Sequence, residues 1–309
     1  MTTRRVGIDV GGTKFLGVVL DEHGTVIDEQ RRPTPKGPDA IIDGLVEFVR
    51  ELRPTAGIGV GVPGLVTRDG VLRAAPNLVD INDFGVGRLL RERLDMAVHV
   101  DNDATCAAVA EWQVGAAKDA RDAVVVTLGT GIGGGIVAGG ALLRGANGFT
   151  GEIGHMVVDP NGPLCPCGRN GCWERYASGS GLAMLARQAV RDGRLERVRA
   201  LVGGAIDEVR GEHVQTAARE GDAQAVVLID EFARWVALGL VNLANILDPD
   251  LFVIGGGLAA SGDLYLQPIK QWFGALLYSP SLRPHPSLVV AHFGERAGAV
   301  GAALLADVH

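Results

Sequence analysis

Three of the chain's four cysteines stand between a histidine and a glutamate: His155, Cys165-Pro-Cys167, then Gly168-Arg-Asn-Gly171-Cys172 and, after Trp173, Glu174. One imidazole and three thiolates make a complete tetrahedral zinc shell. Cys165 and Cys167 are one residue apart, too close to bridge without severe strain, while Gly168 and Gly171 permit the tight backbone of a metal knuckle. No apolar leader opens the sequence. A reducing, cytoplasmic setting is therefore expected, in which clustered cysteines bind metal more often than they pair. A shell filled by His155, Cys165, Cys167 and Cys172 keeps no position for water, so the ion would shape the loop and perform no chemistry. Folding around it would aim Glu152 and Glu174 toward one place from the loop's two ends, and paired carboxylates suit the hydroxyls of a sugar.

Two glycine turns point to an anionic partner. Arg5–Asp9 and Phe15–Leu20 read as strands joined by Val10-Gly11-Gly12-Thr13-Lys14. Asp9 ends a buried strand, Gly11 and Gly12 let backbone amides approach an anion, Thr13 adds a hydroxyl and Lys14 a cation. Asp122–Leu128 followed by Gly129-Thr130-Gly131-Ile-Gly133-Gly-Gly135 repeats the arrangement. Thr130 and the amides around Gly131 and Gly133 would steady phosphate oxygens in the same way. Gly59-x-Gly61-x-x-Gly64 and Gly129-x-Gly131-x-x-Gly134 both match a dinucleotide fingerprint. Pro63 and the lack of a following helix spoil the first, and the second runs into a hairpin.

These residues need a scaffold. Helical spacing runs over residues 38–52, 84–94, 178–191, 195–201, 222–247 and 295–305, and a further helix starts at Asp101-Asn102-Asp103-Ala104, where any of the three polar residues is a favoured cap. Strands are expected at 97–101, 122–128, 136–143, 251–254 and 287–292. Two strand, glycine-turn, strand modules point to duplicated α/β domains, ribonuclease H-like, around a central cleft, the architecture of the actin/hexokinase-like fold. A small domain over 1–115, rejoined by helix 295–309, and a large domain over 116–294 with the zinc loop 154–174 are expected.

Gly151-Glu152-Ile-Gly-His155 followed by Cys-x-Cys-Gly-x-x-Gly-Cys-x-Glu174 resembles the signature of the ROK sugar kinases, bacterial glucokinases especially. The resemblance extends over essentially the whole chain. It implies that the histidine and three cysteines hold structural Zn2+ while Glu152, His155 and Glu174 face a hexose. It places the catalytic base on Asp103 and a sugar-binding amide on Asn102, with Gly64 and Asn77, in Ala75-Pro76-Asn77-Leu78, beside the sugar. It puts Gly256 and Gly257, in the triple glycine after strand 251–254, beneath the nucleotide's base and ribose. ATP and Mg2+ are then the expected cofactors, with Asp9 orienting the ion, and homodimers or homotetramers the expected assembly. Asp103, near the positive end of a helix, is expected to be held ionised with lowered basicity. Transfer to the 6-hydroxyl of glucose is the favoured reading.

Composition narrows the alternatives. At 309 residues, 47% hydrophobic and 21% charged, the chain is long enough for two domains. A formal charge of −7 argues against a nucleic-acid surface. No apolar run reaches membrane-spanning length, since Asn242 and Asn245 interrupt Val236–Leu247. A sugar-responsive transcription regulator of the same family would need a DNA-binding segment ahead of Asp9, and a zinc hydrolase would need an open metal position. Kinases of N-acetylglucosamine or N-acetylmannosamine share the signature.

Overall fold

The computed structural model describes residues 3–75 and 82–306. Its strands are β1 (Arg5–Val10), β2 (Lys14–Leu20), β3 (Val26–Pro33), β4 (Ile58–Val62), β5 (Leu65–Val66), β6 (Leu72–Ala74), β7 (Asn82–Phe84), β8 (Val98–Asn102), β9 (Ala123–Leu128), β10 (Ile132–Ala138), β11 (Ala141–Leu142), β12 (Leu251–Gly255) and β13 (Ser287–Val290). The helices are α1 (Pro38–Leu52), α2 (Val86–Leu94), α3 (Asp103–Val114), α4 (Glu174–Ala177), α5 (Gly179–Arg191), α6 (Glu196–Leu201), α7 (Gly211–Arg219), α8 (Ala223–Leu247), α9 (Asp263–Leu276) and α10 (Ala297–Leu305). Five-stranded sheets of order β3-β2-β1-β4-β8 and β11-β10-β9-β12-β13 are joined by a small sheet, β5-β6-β7. None of the described helices is long and apolar enough to cross a membrane.

The chain divides into two compact units. One comprises Met1–Val126, Gly134–Gly151 and Ala291–His309; the other comprises Thr127–Gly133 and Glu152–Val290. In the first, β1 pairs antiparallel with β2 and parallel with β4, and β4 parallel with β8. Alternating apolar side chains of β1 and β4 pack with the apolar stripe of α1 (Ile41, Leu45, Phe48, Val49, Leu52) in one core. The other face is built for close approach. A Cβ on Gly7 would fall 2.0 Å from the Ala299 carbonyl oxygen, one on Gly59 1.7 Å from that of Ala302, and one on Gly301 1.6 Å from that of Cys106. Gly7 of β1 and Gly59, the first glycine of the discounted fingerprint, thus let α10 lie against the sheet within the first unit.

Several boundaries moved. Phe84 ends β7, and α2 begins after Gly85. The strand read from 136 starts at Ile132, inside the glycine run. In the second unit, α7 and α9 were not foreseen; Pro268 lies within α9, where a proline removes a backbone donor and obscures the helical pattern.

Candidate functional site

In the second unit the loop that carries the cysteines is pinned at its base. Trp173 is fully buried and its indole N–H donates to the Trp235 carbonyl oxygen of α8 at 2.8 Å. Gly239 of α8 makes room for it: a Cβ there would fall 2.0 Å from the Trp173 ring. Tyr176 stacks on Trp235 at 4.1 Å and donates to Asp159 Oδ2 at 2.7 Å. Gly171 has φ +69° and lies so close to the Asp159 carbonyl that a Cβ would be 1.5 Å from its oxygen, so no other residue fits the return of the knuckle.

Held this way, one nitrogen of His155 and the Sγ atoms of Cys165, Cys167 and Cys172 lie within 4.8 Å of one another. Cys165 Sγ is 3.7 Å from His155 Nδ1, and Cys167 Sγ 3.5 Å from Cys172 Sγ. Ligands of a tetrahedral zinc with 2.3 Å bonds stand about 3.8 Å apart, so the donor set fits the ion in number, type and spacing. Burial pushes the thiols of Cys165 and Cys172 up, whereas at Cys167 what burial adds is outweighed by a hydrogen bond from the Arg169 backbone and by the neighbouring thiols, leaving it below its usual value. A bound cation would be needed for all three to give up their protons side by side.

The two glutamates meet at the same histidine. Glu152 Oε2 is 3.8 Å from His155 Nε2, and Glu174 Oε1 is 3.7 Å from His155 Nδ1 and accepts from the Cys165 thiol at 3.1 Å. Glu174 Oε2 lies 2.8 Å from where a Cβ on Gly131 would stand, so the carboxylate itself requires a glycine at this point of the second turn. Gly129 N–H closes that turn on the Gly131 carbonyl at 3.0 Å, and Thr130 is exposed. Gly256 has φ +84° and packs so closely that a Cβ would be 2.5 Å from the Leu128 carbonyl oxygen, whereas Gly257 has nothing within 4 Å of its own.

In the first unit Asn102 is the residue that caps α3: its Oδ1 accepts from Thr105 N–H at 2.9 Å and its Nδ2 donates to the Gly64 carbonyl at 3.1 Å. Asp103 opens the helix, and its Oδ1 accepts from Ala104 N–H at 2.8 Å. The expected loss of basicity does not occur. Burial raises the Asp103 carboxyl above its usual range and outweighs the hydrogen bonds from the backbone at the helix start. Asp9 is pushed up to about 7 by burial and by the charge of Asp103, against the pull of Lys14. Gly11 N–H donates to the Lys14 carbonyl at 2.9 Å and its own carbonyl accepts from Thr34 Oγ1 at 2.6 Å, leaving Gly12, Thr13 and Lys14 exposed at the turn. Lys14 Nζ pairs with Glu295 at 2.8 Å. Asn77 lies outside the described residues. Asp101, buried and paired with Arg144 at 2.7 Å, was missed, because its partner is far along the chain.

The sequence model of the ROK family matches residues 5–308. A glucokinase of Streptomyces coelicolor is 40% identical over 307 residues, covering 97% of this chain and 96% of that one. An N-acetylmannosamine kinase of Escherichia coli is 35% identical over 312 residues, covering 99% of each. The crystal structure of a ROK family glucokinase from Streptomyces griseus in complex with glucose and AMPPNP superposes with a TM-score of 0.88 at 38% identity, over 99% of both chains. The fold is accordingly the actin/hexokinase-like one, with two α/β domains. With its signature, its length and its fold all matched end to end, this chain belongs to the ROK family.

Proposed function

We infer that the chain is an ATP-dependent hexose kinase with glucose as acceptor, phosphorylated at its 6-hydroxyl. One observation carries this reading: a ring nitrogen of His155 lies within 4.8 Å of three cysteine sulfurs, and the carboxylates of Glu152 and Glu174 stand within 3.8 Å of the same ring. A metal-ligand cluster that orders two hydroxyl-binding carboxylates is a carbohydrate site. Similarity to glucokinases, one of them solved with glucose and AMPPNP, favours glucose. The similarity to an N-acetylmannosamine kinase supports a second reading, the same transfer to an N-acetyl sugar.

His155, Cys165, Cys167 and Cys172 would hold the zinc, whose filled shell supplies shape rather than reactivity. Glu152 and Glu174 accept hydrogen bonds from sugar hydroxyls, and the Asn102 amide, which donates one N–H to the Gly64 carbonyl, contributes a further contact. Gly64 and Asn77 complete the sugar contacts in this reading.

Asp103 orients the acceptor hydroxyl in line with the terminal phosphorus. Its raised proton affinity suits a general base. As the sugar oxygen bonds to phosphorus, the bond to the ADP oxygen breaks and the hydroxyl proton passes to Asp103. Phosphoryl transfer is loose, so the proton moves late and positioning contributes most. Lys14, Thr13 and the amide of Gly12 face phosphate oxygens from one turn, which Gly11 closes through its bond to the Lys14 carbonyl, and Thr130, Gly131 and Gly133 from the other. Gly256 and Gly257 admit the base and ribose. Asp9 would orient the Mg2+ that accompanies ATP, an ion whose charge would offset that of the phosphates.

A coupled ADP-release assay with glucose, mannose, fructose, N-acetylglucosamine and N-acetylmannosamine tests the reading. Turnover greatest with glucose supports it. Turnover greatest with an N-acetyl sugar transfers the function to the second reading, and silence with all five sinks both.

A further inference from the structure

The carboxylate two residues before the proposed base is not used by the chemistry above, yet it is the most buried acidic group at that strand end. Asp101, in β8, has a side chain 5% exposed. Its Oδ1 accepts from the N–H of Asn102 at 2.8 Å, so it fixes the peptide from which the cap and then Asp103 follow. Its Oδ2 accepts no well-aligned hydrogen bond but lies 2.7 Å from the guanidinium of Arg144. His99 Nε2 stands 3.7 Å from the same oxygen and 3.4 Å from Arg144 Nη2. The compensation of Asp101 is therefore ionic, and it comes from a segment far along the chain.

That segment is closely packed. Between Arg144 and Glu152 the backbone approaches its surroundings too closely for side chains: a Cβ on Gly148 would lie 2.7 Å from the Val66 carbonyl oxygen, and one on Gly151 2.3 Å from that of Gly134. Arg68 donates to the Gly145 carbonyl. The Arg144 side chain is only 22% exposed. A cation fixed in this way can set the position of the carboxylate it meets.

We propose that Arg144 is a positioning residue for phosphoryl transfer: through its ion pair with Asp101 it holds the Asp101–Asn102 peptide, and with it the proposed base Asp103, in the geometry of attack. This rests on the reading of Asp103 as base. Removing the cation leaves a buried, uncompensated carboxylate that must draw in water or move. A shift of 1 Å at a reacting group costs about 100-fold in rate.

The test is steady-state kinetics of Arg144→Met, Arg144→Lys, Asp101→Asn and the pair Asp101→Asn with Arg144→Met, each checked for folding by thermal melting. For Arg144→Met, kcat should fall about 100-fold with KM for glucose and for ATP within about threefold of wild type, since contacts to ground-state substrates are kept. Arg144→Lys should recover at least about tenfold of that loss, because a cation is restored without the planar fork. The double variant should turn over faster than Arg144→Met, because no buried charge is left unpaired. If Arg144→Met does not fold, Asp101→Asn alone decides, with kcat lowered and KM held as the supporting result. A melted-out KM with unchanged kcat, or a double variant no better than Arg144→Met, overturns the proposal. Asp103→Ala run alongside separates the two ideas: turnover surviving there removes the base itself, whereas its loss there with near-wild-type kcat in Arg144→Met overturns the positioning role alone.

Discussion

Asp9, the penultimate residue of β1, has its carboxyl pushed from 3.8 to about 7 by burial and by the neighbouring charge of Asp103. In the ligand-free protein between about pH 4 and 7, the folded state therefore holds a proton that the unfolded chain has released, and stability falls as pH rises through that window. A shift of about three units corresponds to about 4 kcal/mol. That is an upper figure, because the side chain is partly open to solvent and screening reduces it. Asp9→Asn removes the ionisation without changing the shape. Denaturant titrations of wild type and variant at pH 5 and pH 8, without nucleotide or Mg2+, should show the variant's advantage growing by at most about 2.7 kcal/mol between the two pH values, the part of the shift lying above pH 5. Turnover should collapse in the same variant, since the carboxylate that is costly to ionise is the one proposed to orient the cation. Parallel stability curves for the two proteins would refute the burial argument.

Asp103→Ala should lower kcat by about 1,000-fold with little change in glucose affinity, measured by ADP release and by calorimetry; near-normal turnover removes it from the mechanism. Gly239→Ala places a methyl 2.0 Å from the Trp173 ring and should raise KM for glucose several-fold by displacing Glu174; unchanged kinetics in a stably folded variant would detach Trp173 from the sugar site. Gly59→Ala meets the Ala302 carbonyl at 1.7 Å and should cost about 3 kcal/mol, about 5 °C in melting midpoint for a chain of this length, with zinc content unaltered.

What could be read from the sequence was what is local. The residues of the histidine-cysteine cluster lie within one short stretch, so their convergence followed from spacing, and the apolar stripe of α1 gave its bounds at Pro38 and Leu52. The long-range features were hidden. Nothing near Gly7, Gly59 or Gly301 announces that their missing side chains admit α10. Asp101 reads as one more helix-capping candidate until Arg144 is brought to it, and among those candidates only coordinates single out Asn102. The direction of the shift at Asp103 differs from expectation for a related reason. The helix start is visible in sequence, but the burial that outweighs it is set by the tertiary structure. Gly131 joins both categories: its turn is local, while the Glu174 oxygen above it is not.

The claim on which the rest depends is that an ion held by His155, Cys165, Cys167 and Cys172 shapes the carbohydrate site. Zinc content and glucose affinity measured on one sample, before and after chelation and again after zinc is restored, test it most directly. The account predicts one zinc per chain, loss of glucose binding with the metal and recovery of both together. Glucose bound as tightly by the metal-free protein as by the loaded one would contradict it.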